Sequence, residues 1–162
     1  MAGPAGLRSL LYTMAGTKTG YRRYLVKGGG RRTLEDLPTI LVVEDDQLLQ
    51  GVIEEALTDG GFEIVIAGSG ESAVELLTTA DGKYRALVTD VNLGRDRMNG
   101  WDIARHAREI DPAFPIIYMS GDSAENWSSQ GVPNSIMLSK PFAPAQLVTA
   151  VSQVLNGVPP KA

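Results

Sequence analysis

Four short apolar runs, each handing over to a polar group, constrain this chain more than any other feature. Thr39-Ile40-Leu41-Val42-Val43 runs into Glu44 and Asp45, and Ala86-Leu87-Val88-Thr89 runs into Asp90. Pro115-Ile116-Ile117-Tyr118-Met119 runs into Ser120, and Ser135-Ile136-Met137-Leu138-Ser139 into Lys140. The first run is continuous and rich in β-branched residues, as expected of a strand buried on both faces. In a parallel α/β sheet the C-terminal strand ends lie along one edge, where ligands bind. Four separated segments therefore contribute to one site.

The stretches between these runs have helical spacing. Leu48, Leu49, Val52, Ile53, Ala56 and Leu57 form one stripe, stopped by Gly60-Gly61. Phe62–Ala67 reads as a further strand, and Ser69-Gly70-Glu71 opens a helix carrying Ala73, Val74, Leu76 and Leu77. A loop runs from Asp90 to Asn99. Trp101, Ile103, Ala104, Ala107 and Ile110 mark a third helix that ends at Asp111-Pro112. Ser123–Gln130 reads as a short polar helix, Asn134–Leu138 as the fifth strand and Pro144–Leu155 as the last helix. Five βα units without an internal repeat predict an α/β fold: a doubly wound, five-stranded parallel sheet with helices on both faces.

Composition narrows the function classes. The chain has 162 residues, enough for one domain with a proper core, and no cysteine, which excludes disulfides and thiolate chemistry. No apolar stretch approaches the roughly 18 residues that span a bilayer. The net charge of −4 hides an asymmetry: residues 1–37 carry +5 and residues 38–162 carry −9. A core so acidic repels polyanions, so DNA binding by the core is not expected. Residues 1–37, basic and containing Gly28-Gly29-Gly30, read as a disordered extension. The broken apolar stretch Leu7–Tyr12 fails as a secretory signal. Residues 38–157 are the expected folded domain and 158–162 a short tail, so no output domain is expected after the last helix.

A carboxylate that accepts a phosphoryl group is an anion meeting an anion, so a divalent cation must neutralise the approach. Mg²⁺ takes oxygen ligands and needs only one or two protein carboxylates. Asp45 and Asp90 can supply them, with Glu44 acting through water and Asn92 through its backbone carbonyl. The cation would also relieve repulsion among the clustered carboxylates. Lys140 can hold one phosphoryl oxygen as a point charge, and Ser120 can donate a hydroxyl hydrogen bond to another.

The motifs Val42-Val43-Glu44-Asp45-Asp46, Leu87-Val88-Thr89-Asp90-Val91-Asn92-Leu93, Met119-Ser120-Gly121 and Lys140-Pro141-Phe142 occur in this order. Their key residues are separated by 45 (Asp45 to Asp90), 30 (Asp90 to Ser120) and 50 (Asp90 to Lys140) positions. Over roughly residues 38–156 the chain resembles the receiver domain of two-component response regulators. The resemblance implies a flavodoxin-like receiver fold with Asp90 as phosphoacceptor, Glu44 and Asp45 as the acidic pair for Mg²⁺, and Lys140 and Ser120 at the phosphoryl group. It implies a sensor histidine kinase or phosphotransfer protein as donor and a cytoplasmic location. It also makes Lys140-Pro141 a candidate cis bond. Asn92 and Asp122 take the positions that tune phosphoryl lifetime in receivers, and the polar pair leads us to expect a lifetime of minutes or less.

Two departures stand out. Leu93-Gly94 replaces the usual Leu/Met-Pro after the acceptor, and the loop's glycine, Gly100, comes ten residues on instead of eight. Met137 takes the place of the switch aromatic that usually lies three residues before the lysine. Met137 and Trp127 belong to the face that usually changes in this family, where an unknown downstream protein would dock in trans; a homodimer is left open. Without such a partner, the domain would act as a phosphate sink. Asp46 reads as the helix cap and Gly68-Ser69-Gly70 as a helix entry turn. His106 reads as part of a solvated helix face.

Two other functions compete with this reading. One is a receiver-like interaction module without phosphorylation. The other is a Mg²⁺-dependent aspartyl-phosphate phosphohydrolase, which would need a second catalytic aspartate where this chain has Asn92. Neither accounts for all four strand ends, so a phosphoacceptor switch that is not an enzyme is the expectation.

Overall fold

The computed structural model describes the backbone of residues 12–17, 20–27 and 30–33, and residues 37–94 and 98–157 in full. The chain divides into two units, Met1–Leu37 and Pro38–Ala162. The first holds three strands, β1 (Tyr12–Thr17), β2 (Gly20–Lys27) and β3 (Gly30–Thr33), in an antiparallel sheet. This corrects the expectation of an extension without regular structure. The stretches Tyr12-Thr13-Met14 and Tyr24-Leu25-Val26 have strand propensity that overall basicity masked. Most of Leu7–Tyr12 and all of residues 158–162 lie outside the described residues.

In the second unit β4 (Thr39–Val43), β5 (Glu63–Ala67), β6 (Tyr84–Asp90), β7 (Ile116–Ser120) and β8 (Ile136–Ser139) form one parallel sheet in the order β5-β4-β6-β7-β8. From β4 the chain steps outward to β5, then returns to place β6 on the other side. The direction reverses between β4 and β6, which makes their C-terminal ends the switch point where ligands bind in such sheets.

Strand period decides which face each side chain serves. Ile40 and Val42 join Ala86, Val88, Ile117 and Met119 on one face. There they meet Ile53 and Leu57 of α1 (Gln47–Asp59) and Leu147 and Val151 of α5 (Pro144–Leu155). Leu41, Val43, Leu87 and Tyr118 point the other way. They meet Ala73 and Leu77 of α2 (Gly70–Thr79) and Trp101, Ile103, Ala104 and Ala107 of α3 (Gly100–Ile110). Every residue of β4 and β7 is buried, which accounts for their continuous apolar character.

Local chemistry sets the ends. Asp46 caps α1, its Oδ1 accepting from the amides of Leu48 (2.9 Å) and Leu49 (3.3 Å). Ser69 caps α2 through the Ser72 amide at 3.2 Å, and Asn99 with Asp102 forms a capping box on α3. Phe62 belongs to the turn rather than to β5, because its amide closes on the Leu57 carbonyl at 3.0 Å. β7 and β8 each run one residue further than expected, since Ser120 pairs with Ser139. The polar stretch from Ser123 becomes a 3-10 turn, Ala124–Asn126, followed by the single turn α4 (Trp127–Gln130). It has no apolar stripe and no side-chain cap to extend it. Trp101 is core, its ring 4.6 Å from that of Tyr118. His106 lies on the surface of α3, 3.2 Å from the Thr78 hydroxyl.

Helix α1 provides an internal comparison of core and surface. Leu57 is fully buried whereas Leu48 is 85% exposed. Leu57→Ala is expected to cost about 2–5 kcal/mol, and Leu48→Ala to stay within about 0.5 kcal/mol of the parent. Urea denaturation of both variants checks this; equal losses would contradict the packing described.

Candidate functional site

Glu44 and Asp45 follow β4, Asp90 ends β6, Ser120 ends β7, and Lys140 follows β8. One ligand oxygen from each of Glu44, Asp45 and Asp90 can be chosen so that all three lie within 4.8 Å of one another. The Lys140 ammonium bridges two of them, 3.0 Å from Glu44 Oε2 and 3.1 Å from Asp90 Oδ2. The Lys140 amide donates to the Ser120 carbonyl at 2.8 Å, which ties the lysine to the end of β7. The peptide bond Lys140-Pro141 is cis.

The three carboxylates differ in their surroundings. Glu44 is 1% exposed and Asp90 6%, while Asp45 is exposed. Glu44 Oε1 accepts from the Asp46 amide at 3.1 Å, and the Gln50 side-chain amide donates to the Glu44 carbonyl at 2.6 Å. Asp90 Oδ1 accepts from the Asn92 amide at 3.2 Å. Each buried carboxylate thus has one oxygen on a backbone N–H and the other on Lys140. Among the described residues, nothing donates to Asp45.

Burial pushes the Asp90 carboxyl above its usual range; the Lys140 ammonium and the Asn92 amide pull it back, and the nearby Asp45 charge adds to the rise. Burial also raises Glu44, against its bonds to Asp46 and Lys140. For Lys140, burial alone would lower the pKa. The hydrogen bond to Glu44 and the charges of Asp90 and Glu44 reverse that and raise it. With all groups ionised, three carboxylates and one ammonium leave two negative charges in excess. Hard oxygen donors with this excess fit a divalent cation such as Mg²⁺.

Ser120 is buried, and its Oγ accepts from the amides of Ser123 (2.7 Å) and Asp122 (3.3 Å). Both lone pairs are then engaged, which leaves the hydroxyl proton as its free valence. Asn92 and Asp122 meet across the mouth: Asn92 Nδ2 donates to Asp122 Oδ1 at 2.8 Å and to Ser123 Oγ at 3.2 Å. Met137 and Trp127 do not reach this cluster. Both are half-buried against the core face that holds Trp101 and Tyr118.

Three contributors were not singled out for their roles from sequence. Ser123 closes the bridge between the loops. Gly100 lies so close beneath β6 that any Cβ there would collide with the Asp90 carbonyl oxygen. Gly94, noted only as a departure, lies against Asp45. A glycine just past the expected loop was a readable signal for the second of these; the others depend on the path of the loops.

Residues 40–152 match the family model of the response regulator receiver domain. The chain is 32% identical over 118 residues to the response regulator receiver protein CpdR of Brucella abortus, covering 72% of this chain and 95% of that protein. It is 30% identical over 119 residues to the transcriptional regulatory protein CusR of Escherichia coli, covering 72% of this chain but only 51% of CusR. A crystal structure of a response regulator receiver protein from Sinorhizobium medicae superposes with a TM-score of 0.72 at 46% identity, covering 76% of this chain and 98% of that one. The chain therefore belongs to the receiver domain family of two-component signalling, whose members are phosphoacceptor switches and bind Mg²⁺ at an acidic pocket.

The raised carboxyls have a consequence for stability. A folded-state pKa above the unfolded value favours the protonated carboxyl, so ionised Asp90 costs stability as pH rises past its ordinary range. Asp90→Asn is therefore expected to melt higher than the parent at neutral pH without Mg²⁺, by a few degrees, or about 1 kcal/mol for a domain of this size. The gap should close as pH falls toward the carboxylate range, and shrink when Mg²⁺ is added. Calorimetric melting across pH checks it; a variant that melts lower at neutral pH without Mg²⁺ would contradict it.

Proposed function

We propose that Asp90 accepts a phosphoryl group from a phosphohistidine on a sensor histidine kinase or phosphotransfer protein. A carboxylate oxygen of Asp90 bonds to phosphorus as the phosphorus–nitrogen bond breaks, and the imidazole departs. The observation that carries this reading is the Lys140 ammonium shared between Asp90 (3.1 Å) and Glu44 (3.0 Å) beside the exposed Asp45 carboxylate.

Asp45 and Asp90 would hold Mg²⁺, with Glu44 acting through water and the Asn92 carbonyl completing the protein ligands. Bound there, the cation would neutralise the charge that accumulates as two anions meet. Lys140 keeps one ammonium beside the acceptor oxygen and can turn its remaining N–H groups to a phosphoryl oxygen. Ser120 has its proton free for another. Asn92 and Asp122, bonded to each other, border the path of a hydrolytic water and set a lifetime of minutes or less.

A switch rather than an enzyme fits the residue at position 92. Its amide side chain is engaged with Asp122 and Ser123 and cannot serve as the second acid of a phosphohydrolase. The extent of the match to CpdR, 95% of that protein, supports a receiver that signals through a partner in trans or drains phosphate from a kinase. We place it in the cytoplasm. Among the described residues, no helix is long and apolar enough to cross a membrane.

The test is intact-mass spectrometry after incubation with acetyl phosphate. With Mg²⁺ a gain of about 80 Da is expected, one phosphoryl group; with chelator, or with Asp90→Ala, none. After removal of the donor the gain should vanish within minutes. An unmodified parent would refute the assignment, and a phosphoprotein that persists for hours with Mg²⁺ would refute the lifetime.

A further inference from the structure

The loop from β6 to α3 is anchored at points on either side of Gly94. Val91 continues the ladder through its amide to the Met119 carbonyl (3.0 Å), and Leu93 is buried in the α3 face of the core. On the far side, Met98 packs on the start of α2: a Cβ at Gly70 would lie 2.7 Å from Met98 Cβ and 2.9 Å from its carbonyl oxygen. Gly94 therefore cannot retreat without disturbing the buried Leu93 beside it.

Its own geometry is specific. Gly94 has φ +62, a conformation open to glycine and closed to the proline usual in the family. A Cβ built there would stand 2.8 Å from Asp45 Oδ2, and among the described residues, its chain neighbours aside, no other heavy atom comes within 4 Å of it. The backbone of Gly94 thus lies beside the one carboxylate of the cluster that is exposed and, among the described residues, without a donor. A side chain at this position would have to displace that carboxylate oxygen.

Building on the metal reading above, we infer that Gly94 is a positioning residue for the divalent cation. It lets the backbone at position 94 pass close beside Asp45 and keeps that carboxylate on the side facing Glu44 and Asp90. Gly94 touches neither the phosphoryl group nor the cation; it acts through Asp45.

The test is an Mg²⁺ titration followed by amide NMR on the whole chain. Gly94→Ala should raise the half-saturating Mg²⁺ concentration by roughly tenfold, in the range seen when groups that orient a metal ligand are lost. Backbone strain alone could mimic such a loss, so Gly82→Ala serves as control. Gly82 also has positive φ, +79, but among the described residues, its chain neighbours aside, a Cβ placed there meets nothing within 4 Å. The inference expects both variants to lose some thermal stability and only Gly94→Ala to lose cation affinity. Parent-like affinity in Gly94→Ala overturns it, as does an equal loss in both variants. A parent that binds no Mg²⁺ overturns the metal reading beneath it instead, and with it this role.

Discussion

One ammonium holds this domain's working end together. Lys140 bridges Glu44 and Asp90, from 3.0 and 3.1 Å, and both carboxylates are nearly inaccessible to water. Two buried anions this close would otherwise repel each other and resist ionisation. The lysine keeps them usable, but it supplies one positive charge where three carboxylates converge. The remainder is what makes the site receptive to a divalent cation. Removing Lys140 would leave two buried carboxylates without their shared partner, which is costlier than losing an exposed ion pair.

The rest of the unit serves to bring that lysine, 96 positions from Glu44, to its partners. Parallel pairing in the order β5-β4-β6-β7-β8 sets the ends of β4, β6 and β7 side by side. The Lys140 amide on the Ser120 carbonyl then carries the chain past β8 to the same edge. Helices on both faces bury β4 and β7 along their whole length and leave the strand ends for polar work. Fold stability and site geometry therefore depend on the same strand register.

This dependence explains what could be read from the sequence. β4 and α5 are legible to the residue, because strands buried on both faces and strongly amphipathic helices carry dense apolar signals. Glu44, Asp45, Asp90 and Lys140 are legible as a cluster because each sits at or just beyond the end of such a strand. The N-terminal strands are not, since basic residues and glycines obscure their β character. Nor are the approach of Gly94 to Asp45 and the contacts of Asn92 with Asp122 and Ser123. Those join segments about 30 to 50 positions apart through loops whose paths no local pattern encodes.

The loop after β7 connects the site to the opposite side of the sheet through hydrogen bonds. Ser120 accepts the Ser123 amide at 2.7 Å, and Ser123 opens the 3-10 turn that leads into Trp127. Trp127 donates to the Ser135 hydroxyl at 2.9 Å, and Ser135 donates to the Val132 carbonyl at 2.6 Å. The Val132 amide in turn donates to the Tyr118 hydroxyl at 3.1 Å, and Tyr118 stands opposite Met137 in the sheet. A Ser120 hydroxyl drawn toward Asp90 must carry the Ser123 amide with it or give up that bond. Met137 lacks the flat ring of a rotamer switch, but it is unbranched and can refill space that Tyr118 or Trp127 vacates. The hydrogen bonds from Ser120 to Ser123 and from Trp127 through Ser135 and Val132 to Tyr118 thus connect the acidic edge with the β8 side of the sheet.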